Sequence, residues 1–417
     1  LRHACRLEAG ATKPVLQFLS MGKLGIYIQV PFCQTKCTYC NFHTGVVSPG
    51  RFVPYVDAVC REIRQHRSLL ESSGARVSAL SASGEPTVDT LYIGGGTPSL
   101  LEPHLLTRMV QALRDNFTCQ LHEVTLEADP ETIDAEKAAA WAAAGFNRIS
   151  FGSQSFVDEE LKAAGRMHRR ADIYRALPVL HDAGIRNISF DLIAGLPKQT
   201  ALSWRQSLGE TIALSPEHIS IYMMEIDEGS RLGLEVLQGG TRYSARELPS
   251  EEATASFYEL AQLQLKAAGY LQYEISNWAK PGFESRHNQK YWRREPYLGF
   301  GAGAHSFSGA QRWANCHDAA AYAAAIMEGK SATETVDEVT LSMALEEELF
   351  LGLRQAEGIE LRRIEAQYGV RFSEIVAQLA ASGMVEKEGA LLRLPAEKLS
   401  ISNEIIVELL RAVQVSV

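Results

Sequence analysis

The sequence predicts an α/β fold in which six parallel strands alternate with helices, followed by a mostly helical, winged-helix-like region. Three observations point there. Short β-branched runs alternate with amphipathic segments from residue 25 to about residue 225, the spacing of a parallel sheet with crossover helices. The six runs are nearly continuous in apolar character, as strands covered on both faces require. Each run also ends on polar or glycine residues: the cysteines between 33 and 40, Gly94–Thr97, Glu127, Gln154, Asp191 and Glu225. An open doubly wound sheet and a curved partial barrel both satisfy the first two observations. The third leans toward the barrel, where all strand ends converge on one mouth, whereas an open sheet gathers only those at its switch point.

In chain order, strands are read at 25–31 (GIYIQVP), 90–94 (TLYIG), 123–128 (EVTLEA), 148–152 (RISFG), 187–193 (NISFDLI) and 217–224 (EHISIYMM). Helical patterns lie between them at 53–72, 103–117, 134–144, 170–183 and 200–213. Asp134 and Thr200 are expected helix starts, and Gly145 and Gly184 expected stops. The stretch from 226 to 330 is less regular: a break at Gly239–Gly240, a helix near 250–268, then an aromatic, glycine-rich segment from Tyr270 to Trp313. From about 336 three helices are followed by a hairpin at 384–394 (MVEKEGALLRL) and a last helix. The expected organisation is an extension over 1–20, a core over 21–235, a connecting region over 236–333 and a C-terminal helical unit over 334–417. Leu1 is not an initiator, and Met21 directly precedes the first strand, so Met21 is the expected natural start; a genuine N-terminal extension is the alternative.

The 417 residues are 46% hydrophobic and 22% charged, which excludes wholesale disorder. No apolar run approaches the 18 or so residues of a membrane span. With 41 basic against 50 acidic residues the net charge is −9, which argues against a general nucleic-acid binder. The winged-helix-like region carries six basic and six acidic residues between 360 and 400, so no electrostatic footprint for DNA accompanies its shape. Pro14, Gln17 and Ser20 break the only candidate signal-peptide core, and the odd count of seven cysteines does not read as a disulfide framework. A reducing cytoplasm is the expected compartment.

Three of the cysteines crowd together as Cys33-x3-Cys37-x2-Cys40, directly after the first strand. Soft thiolates this close on one loop suit zinc or an iron–sulfur centre. Three ligands leave a metal position open, and no second cysteine pair follows to complete a structural zinc site; His43 is the alternative fourth ligand. Cys5, Cys60, Cys119 and Cys316 read as packing residues or inert thiols. One βα unit later, Gly94-Gly95-Gly96-Thr97-Pro98 offers backbone amides and close approach to a ligand.

CxxxCxxC after the first strand and GGGTP after the second resemble the radical S-adenosylmethionine (SAM) proteins, in detail the oxygen-independent coproporphyrinogen III oxidase group, over nearly the whole chain from Met21. The resemblance implies a partial (βα)6 barrel of the TIM-like radical SAM kind. It implies a [4Fe–4S] cluster on Cys33, Cys37 and Cys40, whose fourth iron is chelated by the methionine moiety of SAM; reduction then gives methionine and a 5′-deoxyadenosyl radical. It further implies cofactor contacts from Tyr27, Tyr39, Gly95, Gly96, Thr97, Glu127, Gln154, Arg166 and Asp191. Gln29 departs from the histidine usual at its position.

The decarboxylating enzymes carry a further cysteine two residues after the third, where this chain has Phe42. Cys40-Asn41-Phe42, and His287-Asn288-Gln289-Lys290-Tyr291-Trp292 as an HNxxYW motif, resemble the heme-chaperone branch, the HemW family. Histidine nitrogen can ligate heme iron, tyrosine and tryptophan offer flat faces to a porphyrin, and Asn288 can orient the ring. His305 is a second candidate ligand, and a packed domain joint is the alternative reading of the motif. A heme chaperone delivering heme to respiratory membrane proteins by transient contact is therefore expected, with heme as cargo and SAM and the cluster as cofactors. The alternative is an oxidase that decarboxylates coproporphyrinogen III. Radical chemistry would need a low-potential electron donor, no nucleic-acid partner is expected, and a homodimer is compatible with the family.

Overall fold

The computed structural model describes residues 23–75, 86–412 and the short strand 414–415. The expected start at Met21, the segment before it and Cys5 lie outside the described residues. The six expected strands are β1 (Lys23–Val30), β2 (Thr87–Gly95), β3 (Cys119–Ala128), β4 (Arg148–Gln154), β5 (Asn187–Ala194) and β6 (His218–Met223). They pair in parallel and in sequence order, β1 to β6, without a reversal. A doubly wound sheet needs a reversal at its switch point, so that alternative is removed. The sheet does not close.

Both edges of this arc continue into segments whose strands were not legible in the sequence. Beyond β6 lie antiparallel β7 (Leu271–Glu274) and β8 (Asn277–Ala279), β8 pairing with β6. Beyond β1, β9 (Tyr297–Phe300) pairs in parallel, then β10 (His305–Phe307), β11 (Gln311–Asn315) and β12 (Thr333–Glu338) follow antiparallel. Edge strands expose unpaired backbone groups, and these additions move the edges of the sheet far from the parallel arc.

The helices cover the outer face. They are α1 (Phe52–Ser73), α2 (Pro103–Asn116), α3 (Ala135–Ala144), α4 (Asp158–Ala163), α5 (Arg170–Asp182), α6 (Ala201–Leu214), α7 (Arg231–Leu237) and α8 (Glu251–Ala267). Their limits follow local chemistry. Asp134 accepts the Lys137 amide at 2.8 Å as N-cap of α3, and Gly145 ends that helix at φ 100°, where a Cβ would be strained. The Thr200 hydroxyl accepts the Ser203 amide at the start of α6. Val56, Val59 and Ile63 of α1, Leu106 and Val110 of α2, and Trp141 of α3 are buried in the main core with the outward residues of the strands.

The motif segment forms a short helix, α9 (Arg286–Trp292), and α10 (Ala319–Met327) lies between β11 and β12. The C-terminal unit then runs α11 (Leu341–Gly352), a strand pair residue set at Ile359–Glu360, α12 (Leu361–Tyr368), α13 (Ser373–Ala381), a hairpin of Glu386–Glu388 with Leu391–Arg393, and α14 (Ser402–Arg411). The hairpin and Ile359–Glu360 make a three-stranded sheet among the described residues, the helix and wing order read from the sequence. It has its own core, including Leu349, Ile364, Phe372, Val376, Leu392 and Ile406.

Glu62 ties the outer edge of the arc to α1. Buried in that helix, its carboxylate accepts the Gly301 amide at 2.9 Å, the Asn315 amide group at 2.7 Å and the Tyr322 hydroxyl at 2.5 Å. Burial nevertheless pushes its carboxyl up to about 7, against the pull of those three donors. The folded state thus holds the Glu62 proton more tightly than the unfolded chain does. Its contribution to stability is complete below the ordinary glutamate range and is lost as pH rises toward and past 7. We expect the thermal midpoint of the protein to fall between pH 5 and pH 7.5 in a differential scanning experiment, and Glu62→Gln to reduce that fall. Glu62→Ala strands three buried donors and is expected to destabilise by about 2–4 kcal/mol, read from the urea midpoint.

Candidate functional site

The C-terminal ends of β1–β6 surround a cavity of about 640 Å³. Its lining includes Cys33, Cys37 and Cys40, Gly95–Thr97, Glu127, Gln154, Arg166 and Asp191, together with Tyr39 and Glu225. The convergence expected of strand ends is therefore met.

The cysteine loop is pinned at both ends. Phe32–Cys33 pairs in parallel with Gly45–Val46, closing the loop on itself. The Gly96 amide donates to the Val30 carbonyl at 2.8 Å and the Thr97 amide to Phe32 at 2.6 Å, which fastens the glycine turn beneath the first cysteine. A Cβ on Gly96 would stand 2.4 Å from the Phe32 carbonyl oxygen and 2.9 Å from Cys33 Sγ, so only glycine permits this approach. Further along, the Thr38 amide donates to Ala164 and the Leu232 amide to Thr38, so α4 and α7 hold the loop from outside. Tyr39 packs with Ala164, Ile193 and Leu196.

Burial raises the Cys33 and Cys40 thiols, and the neighbouring thiols raise them further. The Cys33 and Cys40 thiols are therefore reluctant to ionise without a cation beside them. Among the described residues no group of three or more His, Cys, Asp or Glu side chains closes around a single metal ion. His43, the alternative zinc ligand, stacks on His317 at 3.8 Å between ring centroids. The donor set, three soft thiols carried on one loop at the cavity, fits an iron–sulfur cluster with three cysteine ligands.

Arg166 brings a cation to the thiols. Its Nη1 donates to Cys37 Sγ at 3.5 Å, and its Nη2 donates to Gly152 O at 2.9 Å and pairs with Asp129. On the facing wall Glu127 accepts the Tyr92 hydroxyl and the Gly95 amide, each at 2.8 Å. Burial pushes its carboxyl up to about 7, and Asp191 and Asp129 add to the push. Asp191 accepts Ser150 at 2.9 Å and Ser189 at 3.2 Å, and burial raises it too. Gln154 ends β4 at φ 59°, a left-handed conformation that strains a non-glycine residue and turns its backbone at the cavity wall. Tyr27 stands behind this wall: it stacks on Tyr92 and donates to Gln29 Oε1 at 2.6 Å, while the Gln29 amide packs over Gly95. Gln29 thus packs between Tyr27 and Gly95.

Helix α9 lies across the opposite end of the strands. Glu123, inside β3, accepts the Arg286 amide at 2.9 Å, the His287 amide at 3.0 Å and the Ser285 hydroxyl at 3.2 Å. A Cβ on Gly25 of β1 would meet the Lys290 side chain at 2.8 Å, so β1 also makes room for the helix. His287 is buried, with Nδ1 2.9 Å from Thr90 Oγ1 and Nε2 2.8 Å from the Tyr291 hydroxyl. Burial and the charges of Lys290 and Arg148 drop its imidazole to about 3, so the ring is neutral. Asn288 lines the main cavity from below. Tyr291 meets Tyr297 edge to face at 4.7 Å, and Trp292 is half-buried, its carbonyl accepting from Gln355. His305 is exposed on β10, apart from the cavity lining. The motif is thus a plug whose Asn288 reaches the same cavity as the thiols.

Sequence reasoning missed Asp129, Tyr92, Arg148 and Glu123. Asp129 stands inside the quoted TLEADP run, and Tyr92 two residues before the glycine turn, so strand alternation held a signal for both. Phe42, by contrast, is 66% exposed at the cavity rim.

The radical SAM superfamily model matches residues 27–209, and the HemN C-terminal domain model residues 339–397. The chain is 33% identical to the heme chaperone HemW of Bacillus subtilis over 91% of this chain and 97% of that protein. It is 31% identical to the heme chaperone HemW of Mycobacterium tuberculosis over 93% and 94%, and 37% identical to that of Escherichia coli over 68% and 69%. The solved coproporphyrinogen III oxidase HemN from Escherichia coli superposes with a TM-score of 0.77 at 23% identity, covering 93% of this chain and 90% of that one, a likeness of fold.

Because Gly96 sets the approach of the two turns, we expect Gly96→Ala to lower iron and sulfide incorporation several-fold on anaerobic reconstitution. Gly50→Ala, where a Cβ meets nothing within 4 Å, is expected to leave it unchanged.

Proposed function

This chain belongs to the heme chaperone HemW family of radical SAM proteins, and on that premise we propose that it binds heme and hands it to respiratory membrane proteins by transient contact. The observation that carries the chaperone over the decarboxylating oxidase is Phe42, an exposed phenyl group at the cavity rim where the oxidases carry a further cysteine.

In this reading Cys33, Cys37 and Cys40 hold a [4Fe–4S] cluster, and SAM occupies the cavity above it. The pair supplies one-electron chemistry at a sulfonium when both are bound. The chain's own residues bind and orient. Arg166 lies beside the thiols as a fixed cation, and Asp129 holds its guanidinium in place. Glu127 and Asp191 present carboxylate oxygens to the hydroxyls and amine of the cofactor, and Gly95, Gly96 and Thr97 let it approach the backbone. Gln154 and Tyr39 complete the walls, and Tyr27 backs them through Tyr92.

Heme is proposed to engage the HNxxYW helix. His287 reaches iron through Nε2 once the Tyr291 hydroxyl releases it, and its neutral ring is the form that ligates iron. Tyr291 and Trp292 supply apolar faces, and Asn288 a hydrogen bond.

Anaerobically reconstituted protein, given hemin and coproporphyrinogen III in separate tubes, tests the reading. Stoichiometric heme binding without protoporphyrinogen formation is expected; turnover to protoporphyrinogen overturns it. We further expect His287→Ala to shift the Soret band and weaken hemin binding. Thr90→Val, which removes only the Nδ1 partner, is expected to lower stability while leaving the Soret position alone.

A further inference from the structure

The floor of the main cavity holds a buried cation without an ion-pair partner among the described residues. Arg148 opens β4 and is 1% exposed, yet its side chain lines the cavity. Its Nε is sealed from solvent without a hydrogen-bond partner. Among the described residues no carboxylate lies within ion-pairing distance of it, in contrast to Arg166 on Asp129 and Arg294 on Glu347 and Glu348. An arginine does not shed its proton in a protein, and burying an uncompensated guanidinium is strongly unfavourable.

The acids around it are engaged by other groups. Asp191, whose carboxyl feels the Arg148 charge, is already held by Ser150 and Ser189, and Glu123 on the adjacent strand is taken up by the first turn of α9. His218 is bound by Ser189 at 2.8 Å and Tyr273 at 2.8 Å, and His287 by Thr90 and Tyr291, and both rings are neutral. Tyr92 donates to Glu127. Asn288 of the plug helix and Ser220 of β6 line the same cavity as Arg148.

We propose that Arg148 anchors a carboxylate-binding floor, in which its guanidinium fork receives a ligand's carboxylate and Asn288 adds a side-chain donor. A planar fork matches a carboxylate with two parallel charge-assisted bonds. The carboxylate belongs either to a heme propionate or to a small free acid. The Arg148 backbone opens β4 at the end away from the cysteine loop. Arg148 and Gln154 stand at opposite ends of β4, six residues apart, which at ~3.3 Å per residue is roughly 20 Å. The inference stands on Arg148 and does not depend on the heme reading.

The test uses the full chain, Arg148→Met and Arg148→Lys in two assays. In a thermal-shift assay, sodium propionate is expected to raise the midpoint of the unsubstituted protein above that in propionamide, and to do so less in Arg148→Lys and not at all in Arg148→Met. In a Soret titration, hemin and its dimethyl ester are compared; a loss of about tenfold or more for hemin in Arg148→Met, with the ester unchanged, assigns the carboxylate to a propionate of heme. A propionate shift that needs Arg148 while hemin affinity is unaffected assigns it to a free acid. Equal responses of all three proteins in both assays overturn the proposal, as does an unsubstituted protein that answers to neither carboxylate. Failure to bind heme at all overturns only the heme reading, and the propionate arm then decides the floor. If Arg148→Met does not fold, Arg148→Lys carries the comparison, because it keeps the charge and loses the fork.

Discussion

Glu123 makes the barrel a cup. Its carboxylate, buried inside β3, takes two backbone amides and the capping hydroxyl of α9, and so fixes a seven-residue helix across the lower end of an open sheet. A helix this short is unstable by itself, because nucleation fixes several residues for few bonds. Charge-assisted hydrogen bonds to its first turn offset that deficit, and Lys290 adds a buried pair with Asp89 at 2.9 Å. Without the plug the strands would enclose a channel. With it, the cavity has a mouth, a wall and a floor.

The charges in the cup are layered. At the mouth Arg166 and the thiols lie together, with Asp129 balancing the guanidinium. In the wall, Glu127 and Asp191 are both raised by burial and each is held by hydroxyl or amide donors. At the floor, Arg148 carries a charge that Asp191 partly answers. Long-range fields act strongly in such a low-dielectric enclosure, so the cavity suits a ligand carrying both signs of charge along its length.

The plug also joins the two cores. Arg294, just after α9, pairs with Glu347 at 2.8 Å and Glu348 at 3.4 Å on α11, and Arg312 of β11 reaches the same Glu347. The Gln355 amide group donates to the Trp292 carbonyl at 3.1 Å. The winged-helix-like unit therefore rests on the same short helix that seals the barrel, which is why the HNxxYW segment reads equally well as a packed joint and as a binding motif.

Sequence alone determined the six parallel strands, their helices to within a few residues, and the convergence of the cysteines, Gly95–Thr97, Glu127, Gln154, Asp191 and Glu225 on one mouth. Period and capping are local properties, and parallel pairing forces strand ends that follow one another in the chain to the same side. The winged-helix order was legible for the same reason. The tertiary structure decided what depends on residues far apart in the chain. The late strands that extend both edges are only three to six residues long, too short for a periodic signal. Glu123 and α9 are separated by about 160 residues, so nothing in either segment announces that one caps the other. Arg148 looks like an ordinary strand residue in RISFG; that it is buried, lines the cavity and has no ion-pair partner among the described residues follows only from what the other five strands and the plug place around it.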